Sequence, residues 1–213
     1  MTDSNYRHYV LVVDRSGSMV TIAAETQNGV RLFVSEQREI PGKATLSLYQ
    51  FDHVHDTVHD FVPLRDVTPY TLVPRGNTAL LDACGFAITT VGEKLRAMAE
   101  DERPGKVIVV IATDGEENFS REYSLAQVRD LITRQRELYG WEFSYIGANQ
   151  DSFAEAGRIG VPQASTMDYA ATTRGTQSAW AGASASAGRY AGGHSANLHY
   201  TDEERTASKG SSQ

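Results

Sequence analysis

Two segments of this chain are apolar throughout, and each is followed within two residues by an aspartate. Tyr9-Val10-Leu11-Val12-Val13 leads into Asp14, and Val107-Ile108-Val109-Val110-Ile111-Ala112 leads into Thr113-Asp114-Gly115. A strand that is apolar on both faces has to be covered on both faces, as happens inside a parallel sheet. Between and after these strands lie helical patterns. Thr21 to Glu39 places Ile22, Val30, Phe33, Val34 and Gln37 along one stripe, with Gly29 inside it and Pro41-Gly42 stopping it. Ala79 to Met98 repeats Leu80, Leu81, Cys84, Ile88, Val91 and Leu95 at threes and fours. Ser124-Leu125-Ala126-Gln127 matches a capping box and starts a helix that runs to about Tyr139.

Further strands are read at Ala44 to Phe51, Trp141 to Gly147 and Ala164 to Met167, with a short helix over Asp151 to Ile159. Asp52 to Phe61 is polar but strand-like, which suits an antiparallel hairpin partner at the sheet's edge, where charges are tolerated. The pattern predicts a three-layer α/β/α, Rossmann-like fold with a mostly parallel central sheet and one antiparallel edge strand. In such sheets ligands bind beyond the carboxyl ends of the strands, where the strand order reverses. Attention therefore falls on the residues just after Val13 and just after Ala112.

With 213 residues and 40% hydrophobic side chains, the chain can bury a proper core as one domain, residues 1–193. Residues 170–193 are rich in Ala, Gly and Ser, with Trp180 and Tyr190 the large exceptions, and read as a terminal helix or a linker. Residues 194–213 read as a polar, disordered tail. The formal net charge of −7 argues against a nucleic-acid binder, which normally displays a basic footprint. No run approaches the length of a membrane span, and Met1 to Asn5 is polar with no secretory pattern. The single Cys84 forms no internal disulfide and sits on an apolar helix face. A cytoplasmic setting is the expectation.

Asp14-Arg15-Ser16-Gly17-Ser18 follows the first buried strand, Gly76-Asn77-Thr78 opens a helix, and Asp114 follows the central strand. Ser16, Ser18 and Thr78 offer hydroxyl oxygens, and Asp14 and Asp114 offer carboxylates. Such an oxygen set suits a hard divalent cation such as Mg2+. The Asp-x-Ser-x-Ser triplet alone is a weak signal; its place after a buried strand, with the later Thr and Asp-Gly, makes it specific. The bland alternative reads the same residues as turn formers and helix caps. His53, His55 and His59 are better explained by an exposed edge than by zinc. A serine hydrolase lacks its Gly-x-Ser-x-Gly elbow, and neither a phosphate-binding Gly-x-x-x-x-Gly-Lys loop nor a dinucleotide motif is present.

On these motifs the chain resembles a von Willebrand factor type A domain. Val12-Val13-Asp14-Arg15-Ser16-Gly17-Ser18-Met19, Thr78 in Arg-Gly-Asn-Thr and Asp114 in Ala-Thr-Asp-Gly-Glu-Glu-Asn look like the three parts of that family's metal ion-dependent adhesion site. The resemblance spans about Arg7 to Gly193. With Ala148-Asn149-Gln150-Asp151 and Tyr200 to Arg205, it is similar to small stand-alone versions in bacteria and phages. It implies a non-enzymatic, Mg2+-dependent (or Mn2+-dependent) module in which Asp14, Ser16, Ser18, Thr78 and Asp114 hold the metal, the aspartates partly through waters. The metal would dock an acidic side chain of a protein partner. The positive end of the helix near Thr78 would favour that anion. Arg15, Asn77, Glu116, Glu117 and Asn118 form the expected partner-facing rim, with Arg15 turned to solvent. An assembly or regulatory subunit working with a separate ATPase is the alternative, and a metal-dependent phosphoesterase a more distant one.

Overall fold

In the computed structural model, which describes residues 1–148 and 151–210, the first apolar segment becomes the middle of a long strand, β1 (Asp3–Asp14). Its side chains alternate between two cores, because successive residues of a strand point to opposite faces. Tyr9, Leu11 and Val13 enter one core, and Val10 and Val12 enter the other. The second segment becomes β4 (Pro104–Thr113) and pairs with β1 in parallel, with Val13 opposite Ala112. Together with β2 (Lys43–Phe51), β3 (His55–Pro63), β5 (Glu142–Ala148) and β6 (Thr166–Tyr169), they form a sheet of order β3-β2-β1-β4-β5-β6. Every pairing is parallel except β2 with β3. The order reverses between β1 and β4, so Asp14 and Asp114 emerge side by side at the switch point.

One face of the sheet is covered by α1 (Ala23–Arg38) and α5 (Thr173–Ala191). The other is covered by α2 (Leu80–Ala97), α3 (Leu125–Tyr139) and α4 (Ser152–Arg158). Cys84 is buried in that second core, where desolvation pushes its thiol up and leaves it inert. The small-residue stretch is helix α5, and its smallness has a use. A Cβ on Gly29 of α1 would sit 2.1 Å from Cγ of Trp180, so the glycine is the socket for the indole. Nearby, Gln37 of α1 donates to the Ser184 carbonyl and hydroxyl of α5, each at 3.0 Å.

The tail departs from the sequence expectation. Asp202–Ser208 forms a further helix, α6, rather than a disordered segment. Thr201 and Glu204 make a reciprocal capping box, and Arg189 of α5 forks onto Glu204 with contacts of 2.6 and 3.0 Å. Arg205 donates to the carbonyls of Gln163, Ala164 and Thr166, and the Ser208 hydroxyl donates to the Asp168 carbonyl at 2.8 Å. The C-terminal segment thus lies against the outer edge of β6. Asn149, Gln150 and Ser211 to Gln213 lie outside the described residues.

Candidate metal centre

Three loops meet at the carboxyl end of the sheet. The first leaves β1 at Asp14 and turns through a short 3-10 helix, Gly17–Thr21. The second descends from β3 to Thr78 at the start of α2. The third leaves β4 and runs from Asp114 to the start of α3. Backbone hydrogen bonds stitch them: the Gly17 amide donates to the Gly76 carbonyl at 3.1 Å, and the Asn118 amide to the Thr78 carbonyl at 3.1 Å.

Asp14 is fully buried. One of its oxygens accepts the Ser16 amide at 2.6 Å, and the other accepts the Thr113 hydroxyl at 2.5 Å. Ser16 and Ser18 bring their hydroxyls within 3.0 Å of each other, and the Ser18 hydroxyl donates to Asp114 Oδ1 at 2.6 Å. Thr78 is buried, and its hydroxyl oxygen lies 3.2 Å from where a Cβ on Gly115 would be; the Ser18 oxygen is 3.6 Å from the same point. The structure therefore brings Asp14, Ser16, Ser18, Thr78 and Asp114 together, from sequence positions up to a hundred residues apart.

The electrostatics of this cluster are unbalanced. Burial pushes the Asp14 carboxyl up to about 6, against the pull of hydrogen bonds from Thr113 and Ser16, and the neighbouring Asp114 adds to the push. Burial likewise raises Asp114, with the Ser18 hydrogen bond opposing. Asp114 Oδ2 is buried and has no hydrogen-bond partner among the described residues. Such an orphaned acceptor normally finds a partner in a folded protein. Two desolvated carboxylates and three hydroxyls make an all-oxygen donor set, which fits a hard divalent cation rather than a soft one.

The expected rim is only partly a rim. Asn77, Glu116 and Asn118 are exposed. Arg15 is not turned to solvent but buried, with Nε 2.8 Å from Asp52 and Nη2 2.5 Å from Asp56. A guanidinium so close to two carboxylates gains more by pairing inside than by hydration outside. Glu117 is half-buried and turned inward: its carboxylate accepts the amides of Leu81, Phe119 and Ser120 and the Ser120 hydroxyl. The Asp82 amide goes to Ser120 Oγ and the Thr78 amide to Asn118 Oδ1. The Leu81 and Asp82 amides of the first turn of α2, and the Thr78 amide before it, are thus already served by the chain's own side chains. Asn118 fixes this loop through both its side chain and its amide.

The three histidines take separate neighbours. His53 Nδ1 meets Asp52 at 2.9 Å, the His55 ring tilts over Phe86, and His59 Nε2 meets the Thr68 carbonyl at 3.2 Å. Among the described residues no group of three or more His, Cys, Asp or Glu is arranged to hold a metal. The cluster at Asp14 is of another kind, since three of its five donors are hydroxyls. Asp52, Arg75 and Asp82 support the centre without belonging to the expected set. Asp82 accepts the amides of Arg121, Glu122 and Tyr123 and so anchors the third loop. Asp52 stands directly after β2, and Asp14 is the last residue of β1; two aspartates at the ends of neighbouring strands are the available signal.

No protein-family model matches the chain, and no curated protein matches it. Solved structures do. Proximal thread matrix protein 1 from the mussel byssus, in a form with a zinc-occupied MIDAS motif, superposes with a TM-score of 0.58 at 15% identity, over 84% of this chain and 47% of that one. The ArnB paralog VWA2 from Sulfolobus acidocaldarius gives 0.53 at 22% identity, over 84% and 45%. A von Willebrand factor type A protein from Catenulispora acidiphila gives 0.57 at 13% identity, over 86% and 42%. The chain spans less than half the length of each of these chains. At such identities the likeness shows the fold: this chain has the von Willebrand factor type A fold.

Proposed function

We propose that this chain is a protein-binding module that works through a divalent cation, with Mg2+ as the ion and Mn2+ as a substitute. Asp14, Ser16, Ser18, Thr78 and Asp114 would hold it, and an Asp or Glu side chain of a partner protein would complete the site. The single observation that carries this reading is the orphaned, buried Asp114 Oδ2 beside the desolvated Asp14, in a cluster otherwise made of hydroxyls. The likeness to a protein with a metal-occupied MIDAS motif supports it. Bound there, a divalent ion supplies a concentrated positive charge to which a carboxylate can coordinate.

The chain's own residues define the rest. Asp14 and Asp114 balance the ion's charge, while Ser16, Ser18 and Thr78 contribute no charge of their own. Metal and carboxylate then assist each other's binding, and the assistance is reciprocal. Arg15 is committed to Asp52 and Asp56, so the partner's carboxylate has no free arginine beside Asp14 to meet. We also propose that the module is not an enzyme. His53, His55 and His59 are engaged elsewhere, and the two carboxylates at the cluster are the ones assigned to the cation.

The test has two arms. Calorimetric titration with Mg2+ and Mn2+ is expected to show one site in the wild type and none in Asp14→Ala. Capture of partner proteins in Mg2+ and in EDTA is expected to give binding that EDTA and Ser16→Ala both abolish. A wild type that takes up neither ion at millimolar concentration would overturn the proposal.

A further inference from the structure

Asp52 is fully buried at the end of β2, beside the metal cluster but not in it. Its Oδ2 accepts Nε of Arg15 at 2.8 Å and Nε of Arg75 at 2.7 Å. Its Oδ1 accepts the Val54 amide at 2.9 Å and meets His53 Nδ1 at 2.9 Å. Its backbone carbonyl accepts the Ala79 amide at 2.8 Å. Arg15 lies between Asp14 and Ser16 in the first loop. Arg75 and Ala79 bracket Thr78 in the second. One residue therefore grips both hydroxyl-bearing loops, and the loops grip each other through Arg75 N to the Arg15 carbonyl at 2.8 Å and Gly17 N to the Gly76 carbonyl.

The charges close as well. Arg15 and Arg75 face Asp52 and Asp56, so two cations meet two anions and the quartet leaves no net charge beside the cluster. The arginine hydrogen bonds and charges hold the Asp52 carboxyl below its usual range, although burial alone would raise it. A charged, multiply bonded carboxylate at this point costs desolvation. What it returns is register: serine and threonine hydroxyls bind a hard cation weakly, and such ligands need to be held in place beforehand by the groups around them.

We infer that Asp52 is the positioning residue of the centre: it fixes the Ser16–Ser18 loop and the Thr78 loop against each other, so that the hydroxyls converge before an ion arrives. The inference rests on the proposed metal-binding function for its affinity arm. Its geometric arm stands without it.

The experiment measures Mn2+ affinity by calorimetry and amide hydrogen exchange in EDTA, on the full chain. Asp52→Asn keeps the shape and loses the charge that holds both arginines. Arg75→Gln cuts one half-exposed tie and leaves Arg15 on Asp52, so it remains informative if Asp52→Asn does not fold. Lys94→Gln, which removes the Lys94–Asp60 ion pair elsewhere on the surface, is the control. Asp52→Asn is expected to weaken Mn2+ at least tenfold, Arg75→Gln about threefold or more, and Lys94→Gln not at all. Arg75→Lys is expected to recover most of the affinity. In EDTA, exchange at the Gly17, Arg75 and Ala79 amides is expected to rise at least tenfold in the Asp52 or Arg75 variants, with β1 and β4 amides unchanged. Wild-type affinity and wild-type exchange in folded variants would overturn the inference. If the wild type itself binds no metal, the proposed function fails, and the exchange arm alone decides the role of Asp52.

Discussion

Ser18 and Asp114, separated by 96 positions in the chain, share a hydrogen bond of 2.6 Å in which the hydroxyl donates to the carboxylate. It joins the loop after β1 to the loop after β4 across the switch point of the sheet. It satisfies one oxygen of Asp114 and leaves the other buried without a partner among the described residues.

That imbalance predicts a signature for Asp114→Asn. The asparagine keeps an acceptor for Ser18 and removes a charge that burial disfavours. In EDTA at neutral pH the variant should be at least as stable as the wild type. In Mg2+ only the wild type should gain stability. At a hundredfold excess over Kd the gain is about 2.7 kcal/mol, which for a chain of this size is roughly 5–10 °C in Tm. Thermal melts of both proteins in Mg2+ and EDTA check this, and a wild-type Tm indifferent to Mg2+ contradicts it.

Gly115 lines the gap between Thr78 and Ser18. A methyl there would press on Thr78 Oγ1 at 3.2 Å and touch Ser18 Oγ at 3.6 Å. Gly115→Ala is expected to lower Mg2+ affinity about tenfold, as displaced supporting groups do at metal sites. Its stability in EDTA should stay within about 0.5 kcal/mol of the wild type. Titration calorimetry paired with urea unfolding separates the two quantities.

Gly29 offers a test in the core. Helix propensity alone says that Gly29→Ala should stabilise α1 by about 1 kcal/mol. Packing says the opposite, because the new Cβ would lie 2.1 Å from Trp180 Cγ. Overpacking of that kind costs about 1–3 kcal/mol, so net destabilisation is expected in urea unfolding. Trp180→Phe should restore part of the loss in the double variant, and a more stable Gly29→Ala would rule this packing out.

His8 gives the fold an acid limit. It is fully buried, accepts or donates at Nδ1 with Thr45 Oγ1 at 2.8 Å, and stacks on Phe61. Burial, with a smaller push from Lys94, lowers its pKa from 6.5 to about 3. Between those values the unfolded chain carries a proton that the folded chain excludes. Stability from this residue is therefore intact above about pH 6.5 and falls as the pH drops, by up to about 1.4 kcal/mol per pH unit. His8→Asn should flatten that slope between pH 7 and about pH 4.5 in urea titrations. Parallel slopes for variant and wild type would refute the assignment.

The parts of this structure that were legible in the sequence are those fixed by local pattern. Continuous apolar runs marked β1 and β4 as strands covered on both faces, and the three-layer, mostly parallel fold followed. The Ser124–Gln127 box marked the start of α3, and both of its hydrogen bonds are present. The charges of the polar, strand-like stretch after β2 marked it as the antiparallel edge strand, β3. What stayed hidden depends on partners far along the chain. Arg15 looked solvent-facing because its partners, Asp52 and Asp56, are 37 and 41 positions away. Glu117 looked like part of an acidic rim because nothing local shows that its oxygens meet the amides of Leu81, Phe119 and Ser120. The α6 helix is a different case. Its Thr201–Glu204 box is readable, but the charged run around it reads as a disordered tail, and its anchor on Arg189 lies in another helix.

The C-terminal segment has a consequence for how copies of the molecule meet. A bare outer strand is a template on which another chain can continue the ladder, the first step towards fibres. Here the carbonyls of Thr166 and Asp168 on β6 are already taken by Arg205 and Ser208, and the Ala170 amide just beyond donates to the Ser208 carbonyl at 3.0 Å. At the opposite edge, β3 carries Asp56 and Asp60 and breaks its register twice against β2. Neither margin of the sheet welcomes a stranger, so crowding many copies together need not turn this fold into its own aggregate.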